Sequence, residues 1–107
     1  MRKVSPIEVF AETFPEVTEA YRAIKNAYGD SGPIDAKTKE LIQIAVMVVI
    51  NSEEGTREHT RLALEAGATR DEIQQAVLMV LGPAGISRTS AGLGWAREAL
   101  GHPKDQV

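Results

Sequence analysis

Apolar residues recur along the chain at three- and four-residue spacing and nowhere alternate with polar ones over a useful length, which is the pattern of helices rather than strands. Asn-Gly and Asp-Gly hairpin turns are also missing. Punctuation divides the chain into six predicted helices. The first runs from Pro6 to Phe14, with Ser5 as N-cap and Pro6 at the first helical position, where a missing N–H costs nothing. Pro15 restarts the chain. From Glu16 to Tyr28, the residues Val17, Ala20, Tyr21, Ile24 and Tyr28 make one apolar stripe that Gly29 ends. Asp30-Ser31-Gly32-Pro33 reads as a loop, and Asp35 caps a third helix that carries Glu40 and the apolar run up to Ile50.

Asn51 to Gly55 reads as the next break, with Asn51 and Ser52 as capping residues and acidic Glu53 and Glu54 placed to favour the dipole of a fourth helix. That helix reaches Ala66 and is closed by Gly67. Thr69-Arg70-Asp71-Glu72 has the S/T-x-x-E form of a capping box for a fifth helix ending near Leu81. Gly82-Pro83-Ala84-Gly85 predicts a break, and Ser87 to Leu100 a sixth helix, followed by Gly101, Pro103 and a frayed tail from Lys104 to Val107. Gly92 and Gly94 lie inside that last helix, where each costs about 1 kcal/mol relative to Ala. Close backbone approach by another helix is the expected compensation. With no internal repeat, the chain reads as one all-α domain over residues 1–107.

Leu41 to Ile50 is apolar except for Gln43, but it has only half of the roughly 20 residues needed to cross a bilayer. It predicts a buried helix and no membrane span. A chain of 107 residues has few helices with which to surround it, so part of the cover is expected from a second subunit, making the protein a homo-oligomer. Hydrophobic residues at 43% and charged residues at 25% keep the chain out of the disordered class. Twelve Lys and Arg against fifteen Asp and Glu give a net charge of −3, which argues against nucleic acid as a partner. The opening MRKVSPIEVF shows no export signal, because Glu8 and Glu12 interrupt any apolar region, and a cytoplasmic location is expected.

The absence of cysteine removes disulfides, thiolate nucleophiles, Cys-based zinc sites and dithiol redox chemistry together. Imidazole can come only from His59 and His102, and His102 falls in the tail, where it is expected to be solvated. His59 has Leu62 and Ala63 three and four residues on, so its ring points toward the apolar face of its helix. It is either a core histidine hydrogen-bonded to a carbonyl or a general acid/base. Glu40 either stabilises the start of its helix or meets His59 across an antiparallel pair of the third and fourth helices, where its carboxylate would fix the imidazole tautomer and form a proton relay. Arg88 opposes the dipole at the start of the sixth helix, so it is either a surface arginine or, with free amides, a binder of a substrate carboxylate.

The stretch from Asp35, DAKTKELIQIAVMVVINSEEGTREHTRLALEAGATRDEIQQAVLMV, resembles the carboxymuconolactone decarboxylase and alkylhydroperoxidase D-like superfamily. The ordered blocks KTKELI, EHTRLALEAGAT and RDEI carry the resemblance. It implies an all-helical domain of about six helices with a central antiparallel pair, assembled into trimers or hexamers. The redox branch of this superfamily has a Cys-x-x-Cys-x-x-x-His motif and an upstream proton-relaying Glu. The cysteine positions look like Ser52 and Gly55 here, the histidine like His59 and the glutamate like Glu40. Peroxidase chemistry is therefore not expected, and the resemblance points to the decarboxylase branch, which lacks those cysteines and runs from an Asn through acidic residues to the His, as Asn51, Glu53 and His59 do. It implies a cofactor-independent lyase, with no metal, acting on a small carboxylate or lactone. His59 and Glu40 would be catalytic, and Arg88, Glu53 and Ser52 would bind substrate. The alternative is a non-catalytic oligomeric scaffold or small-ligand-binding member. Two departures stand out: a Gly-x-Pro turn common before the last helix looks replaced by Gly85-Ile86-Ser87, and Arg88 stands where a small residue is usual.

Overall fold

A computed structural model describes residues 4–101. Among them the chain forms α1 (Pro6–Thr13), α2 (Pro15–Gly29), α3 (Ala36–Val49), α4 (Glu53–Glu65), α5 (Arg70–Leu78) and α6 (Leu81–Leu100), with no strand. The all-α class and the six helices agree with the sequence pattern. The expectations for His102 and the tail from Lys104 lie outside the described residues. The chain divides into two compact units, Met1–Pro33 and Ile34–Val107.

In the first unit, Ser5 Oγ accepts the Glu8 amide at 3.2 Å and Pro6 opens α1, as predicted. Phe14 is both the C-cap of α1 and the N-cap of α2, so the two helices share one residue at their corner. The rings of Phe10 and Phe14 stack at a tilt, with centroids 5.5 Å apart. On α2 the predicted stripe is present, and Val17, Tyr21, Ile24 and Tyr28 are all more than half exposed.

In the second unit, α3 and α4 form an antiparallel pair that α5 and α6 cover from one side. Asp35 caps α3, its carboxylate accepting the Thr38 amide at 2.7 Å. α3 ends in a Schellman turn: Asn51, at φ 64°, donates to the Val48 carbonyl while the Ser52 amide donates to Met47. α4 closes in the same way around Gly67, whose φ of 98° needs a residue without a Cβ. The break between these helices is therefore shorter than Asn51 to Gly55, because Ser52 already caps α4 and Glu53 to Gly55 are its first turn. The capping box at Thr69 and Glu72 forms in full. Glu72 also reaches Lys37 Nζ at 2.9 Å, which ties the start of α5 to α3. Arg70 Nη2 donates to the carbonyls of Leu100 and Gly101, holding the end of α6 beside the start of α5.

α5 stops at Leu78 and not Leu81, and residues 81–84 form a helical turn where a four-residue break is predicted. The interruption is concentrated at Gly85, whose φ of 87° lies in the left-handed region that glycine tolerates. Pro83 fits the first turn of α6, where its absent N–H is not required.

The core gathers Ile44 and Val48 of α3, Ala63 of α4, Ile73 and Val77 of α5, and Ala96 and Leu100 of α6. Thr56 and Thr60 of α4 are fully buried in the same interior, their hydroxyls donating to the carbonyls one turn back, Ser52 and Thr56, at 2.7 Å each. Gly92 meets Val48 side-on: a Cβ there would stand 2.6 Å from one Val48 methyl. The expected close approach is thus made by a side chain, and at Gly94 it is not made at all, since nothing lies within 4 Å. The single chain covers α3 only in part, as its small number of helices predicts. The neighbours of α3 pack on one face, and Ile42, Val46, Val49 and Ile50 remain 44–61% exposed. Among the described residues no helix is long and apolar enough to cross a membrane.

Candidate functional site

Glu40 of α3 and His59 of α4 meet across the helix pair, with His59 Nδ1 at 2.9 Å from Glu40 Oε2. Glu40 is in the second turn of α3, past the amides that a carboxylate at a helix start would serve. His59 sits in the middle of α4. Their side chains are 16% exposed for His59 and 22% for Glu40, so both are largely shielded while keeping an opening to solvent. Ile44, four residues on from Glu40, and Ala63, four on from His59, are fully buried, so the pair stands at the polar margin of the core.

A carboxylate oxygen can only accept, so the contact assigns the proton to Nδ1, and His59 donates it to Glu40. Nε2 is then the nitrogen left to exchange protons. It accepts when the ring is neutral and donates when the ring is an imidazolium. Two groups arranged in this way can orient a general acid/base and compensate the positive charge that forms on it.

The other predicted site residues are engaged elsewhere. Ser52 Oγ accepts the Gly55 amide at 3.1 Å as the N-cap of α4. Glu53 shares Arg57 with Glu98, at 2.9 and 2.8 Å, in an ion-pair cluster that links α4 to α6. Arg88 Nη1 donates to the Val49 carbonyl at 2.8 Å and so closes the end of α3. Val49 is nine residues beyond Glu40, about 14 Å along the helix at 1.5 Å per residue. The structure therefore brings Glu40 and His59 together and holds Arg88 near the opposite end of α3.

Sequence reasoning passed over Met47. A Cβ on Gly55 would lie 2.5 Å from the Met47 sulfur and 2.6 Å from Ser52 Oγ, so the thioether fills the space that a side chain at residue 55 would take. The signal was available as the only glycine in the first turn of α4. An open apolar depression of about 260 Å³ lies on another face, lined by Ala45, Val46 and Val49 of α3 and by Met79, Val80 and Pro83. Among the described residues no three His, Asp or Glu side chains cluster as metal ligands would.

Comparison with known proteins matches residues 15–98 to the carboxymuconolactone decarboxylase family. The chain is also similar to an uncharacterized protein of Methanocaldococcus jannaschii, 30% identical over 82 residues that make up 77% of each chain. No solved structure gives a significant match.

Proposed function

Because the chain belongs to the carboxymuconolactone decarboxylase family, we propose that it is a cofactor-independent enzyme that decarboxylates a small carboxylate or lactone, with His59 as proton donor and Glu40 as its orienting partner. The contact between His59 Nδ1 and Glu40 Oε2 at 2.9 Å carries this reading. Departure of CO₂ leaves an electron pair on carbon, which the substrate must delocalise until a proton arrives. The imidazolium of His59 delivers that proton from Nε2, and the neutral ring recovers one from water while Nδ1–H stays on Glu40. The substrate contacts expected of Arg88, Ser52 and Glu53 do not enter this reading, since Arg88 is bound to the Val49 carbonyl at the far end of α3, Ser52 caps α4 and Glu53 is paired with Arg57. Neither Ser52 nor Gly55 can cycle through a sulfenic acid, so the activity excludes thiol peroxidase chemistry. The working form is a cytoplasmic homo-oligomer, a trimer or hexamer, supported by the large apolar side chains that α3 leaves exposed.

A second reading has one observation in its favour. The apolar depression lies on α3 away from the pair and has no charged lining residue, which suits a scaffold or small-ligand-binding member in which Glu40 and His59 are only structure. The deciding experiment incubates the purified protein with carboxymuconolactone and a panel of small β-keto acids and lactones. Substrate-dependent CO₂ release above a protein-free control supports the enzyme; saturable binding of the same compounds without CO₂ release supports the second reading.

A further inference from the structure

Leu41 to Ile50 contains a single polar side chain, Gln43, and an amide placed in an apolar run costs free energy unless it has something to bind. Gln43 stands three residues after Glu40 and four before Met47, so the three share one flank of α3. Both neighbours on that flank touch α4: Glu40 meets His59 at 2.9 Å, and the Met47 sulfur occupies the space beside Gly55. His59 and Gly55 are one turn apart on α4, about 6 Å at 1.5 Å per residue. Gln43 therefore lies along the seam between these two contacts, opposite the turn that His59 ends and that Gly55 leaves without a side chain. It is partly buried, and among the described residues its side-chain amide makes no hydrogen bond.

Decarboxylation needs a group of this kind. When the C–C bond to the carboxylate breaks, its electron pair passes to the adjacent carbon and through it to a carbonyl or lactone oxygen, and a hydrogen-bond donor aimed at that oxygen lowers the barrier. His59 is not that donor, because its proton goes to carbon. Other polar groups near the pair are committed: Lys37 to Glu72 at 2.9 Å, Thr56 and Thr60 to carbonyls one turn back, and Ser52 to the cap of α4, while Lys39 has a partner of its own. Gln43 brings two N–H donors and a neutral head group that a half-buried site tolerates better than a charge. Resting on the decarboxylase reading above, we propose that the Gln43 side-chain amide binds the carbonyl oxygen of a substrate whose departing carboxylate is β to that carbonyl or conjugated with it through a double bond, and stabilises the negative charge the oxygen gains as CO₂ leaves. His59 then protonates the carbon, the enolate returns to the carbonyl, and Gln43 keeps its protons throughout.

The test measures kcat and KM for CO₂ release from the same panel of β-keto acids and lactones, with a thermal melt for wild type, Gln43→Met, Gln43→Ala and Gln43→Glu. Methionine keeps the length of glutamine without its donors, and alanine favours the helix should methionine pack badly. Both should lower kcat by about 10²–10³, the effect of losing one oxyanion donor, with KM little changed and the melting temperature kept or raised. Gln43→Glu, of the same size but with acceptors in place of donors, should fall at least as far. If wild type releases CO₂ and Gln43→Met and Gln43→Ala retain its kcat, the role of Gln43 is overturned while His59 and Glu40 keep theirs. A rise in KM at unchanged kcat overturns it too, since Gln43 would then hold only the ground state. Loss of folding in both variants makes the amide a structural group and has the same consequence. A wild type that releases CO₂ from no compound of the panel overturns the decarboxylase reading, and the assignment of Gln43 falls with it.

Discussion

At His59 the decisive detail is which ring nitrogen is occupied. With Nδ1–H held by Glu40, Nε2 is the ring nitrogen left for proton exchange, and the ring cannot turn over without losing that bond. Spacing alone left two options open for each residue, because the point at which α3 and α4 cross depends on core side chains far from either one. The buried faces built from Ile44, Val48, Thr56, Thr60 and Ala63 set that crossing, and the two threonines could be recognised only by their i, i+4 repeat with Ala63 one turn on. Asn51 shows what was legible: a capping residue was expected between the helices, and it caps the end of α3 in a left-handed conformation. Asn51→Gly should leave the melting temperature unchanged or raise it slightly, whereas Asn51→Val should destabilise by about 1–2 kcal/mol, the cost of forcing a β-branched residue to positive φ. Equal melts for the two variants would mean that the Schellman turn does not hold the α3–α4 connection.

At the scale of elements, helix starts were easier to read than ends. Ser5, Asp35 and Thr69 announce their helices through side-chain caps that belong to the local sequence. The stop of α5 at Leu78 and the helical turn at residues 81–84 carry no such signature, since they depend on packing and on the φ of Gly85. The two glycines of α6 separate by environment. Gly92→Ala should destabilise by about 1–3 kcal/mol, because its methyl would overlap Val48 in the core. Gly94→Ala has open space and should stabilise by up to about 1 kcal/mol through helix propensity, and paired thermal melts would show the opposite signs. The capping box adds a pH dependence. The Thr69 amide, and after it Lys37, hold the Glu72 carboxyl below the usual glutamate range, and the Thr38 amide does the same for Asp35. A depressed folded value contributes stability that is fully present above the unfolded value, about 4.3 for Glu, and is lost as pH falls through the folded value. Glu72→Gln should therefore lose less melting temperature than wild type between about pH 5 and pH 2. An identical acid profile in the two proteins would remove the box as a source of acid sensitivity.

For the whole molecule, the all-α class was legible from periodicity, and the family from three short blocks of sequence that the match over residues 15–98 extends to both units. Incomplete cover of α3 was legible from the small number of helices, but which of its faces stays exposed was not, because periodicity reports a residue's hydrophobicity and not the neighbours that bury it. That exposed face and the shielded Glu40–His59 contact lie on different sides of α3. Whether the two side chains act as one acid–base unit is read by a double-mutant cycle on CO₂ release with His59→Gln, Glu40→Gln and the double variant, each corrected by its own thermal melt. A catalytic unit predicts that His59→Gln keeps the fold and loses about 10²–10⁴ in turnover. Glu40→Gln should lose less, and the double variant should fall little below His59→Gln alone. A large drop in melting temperature with unchanged turnover per folded molecule would contradict the claim and make the pair a buried structural contact.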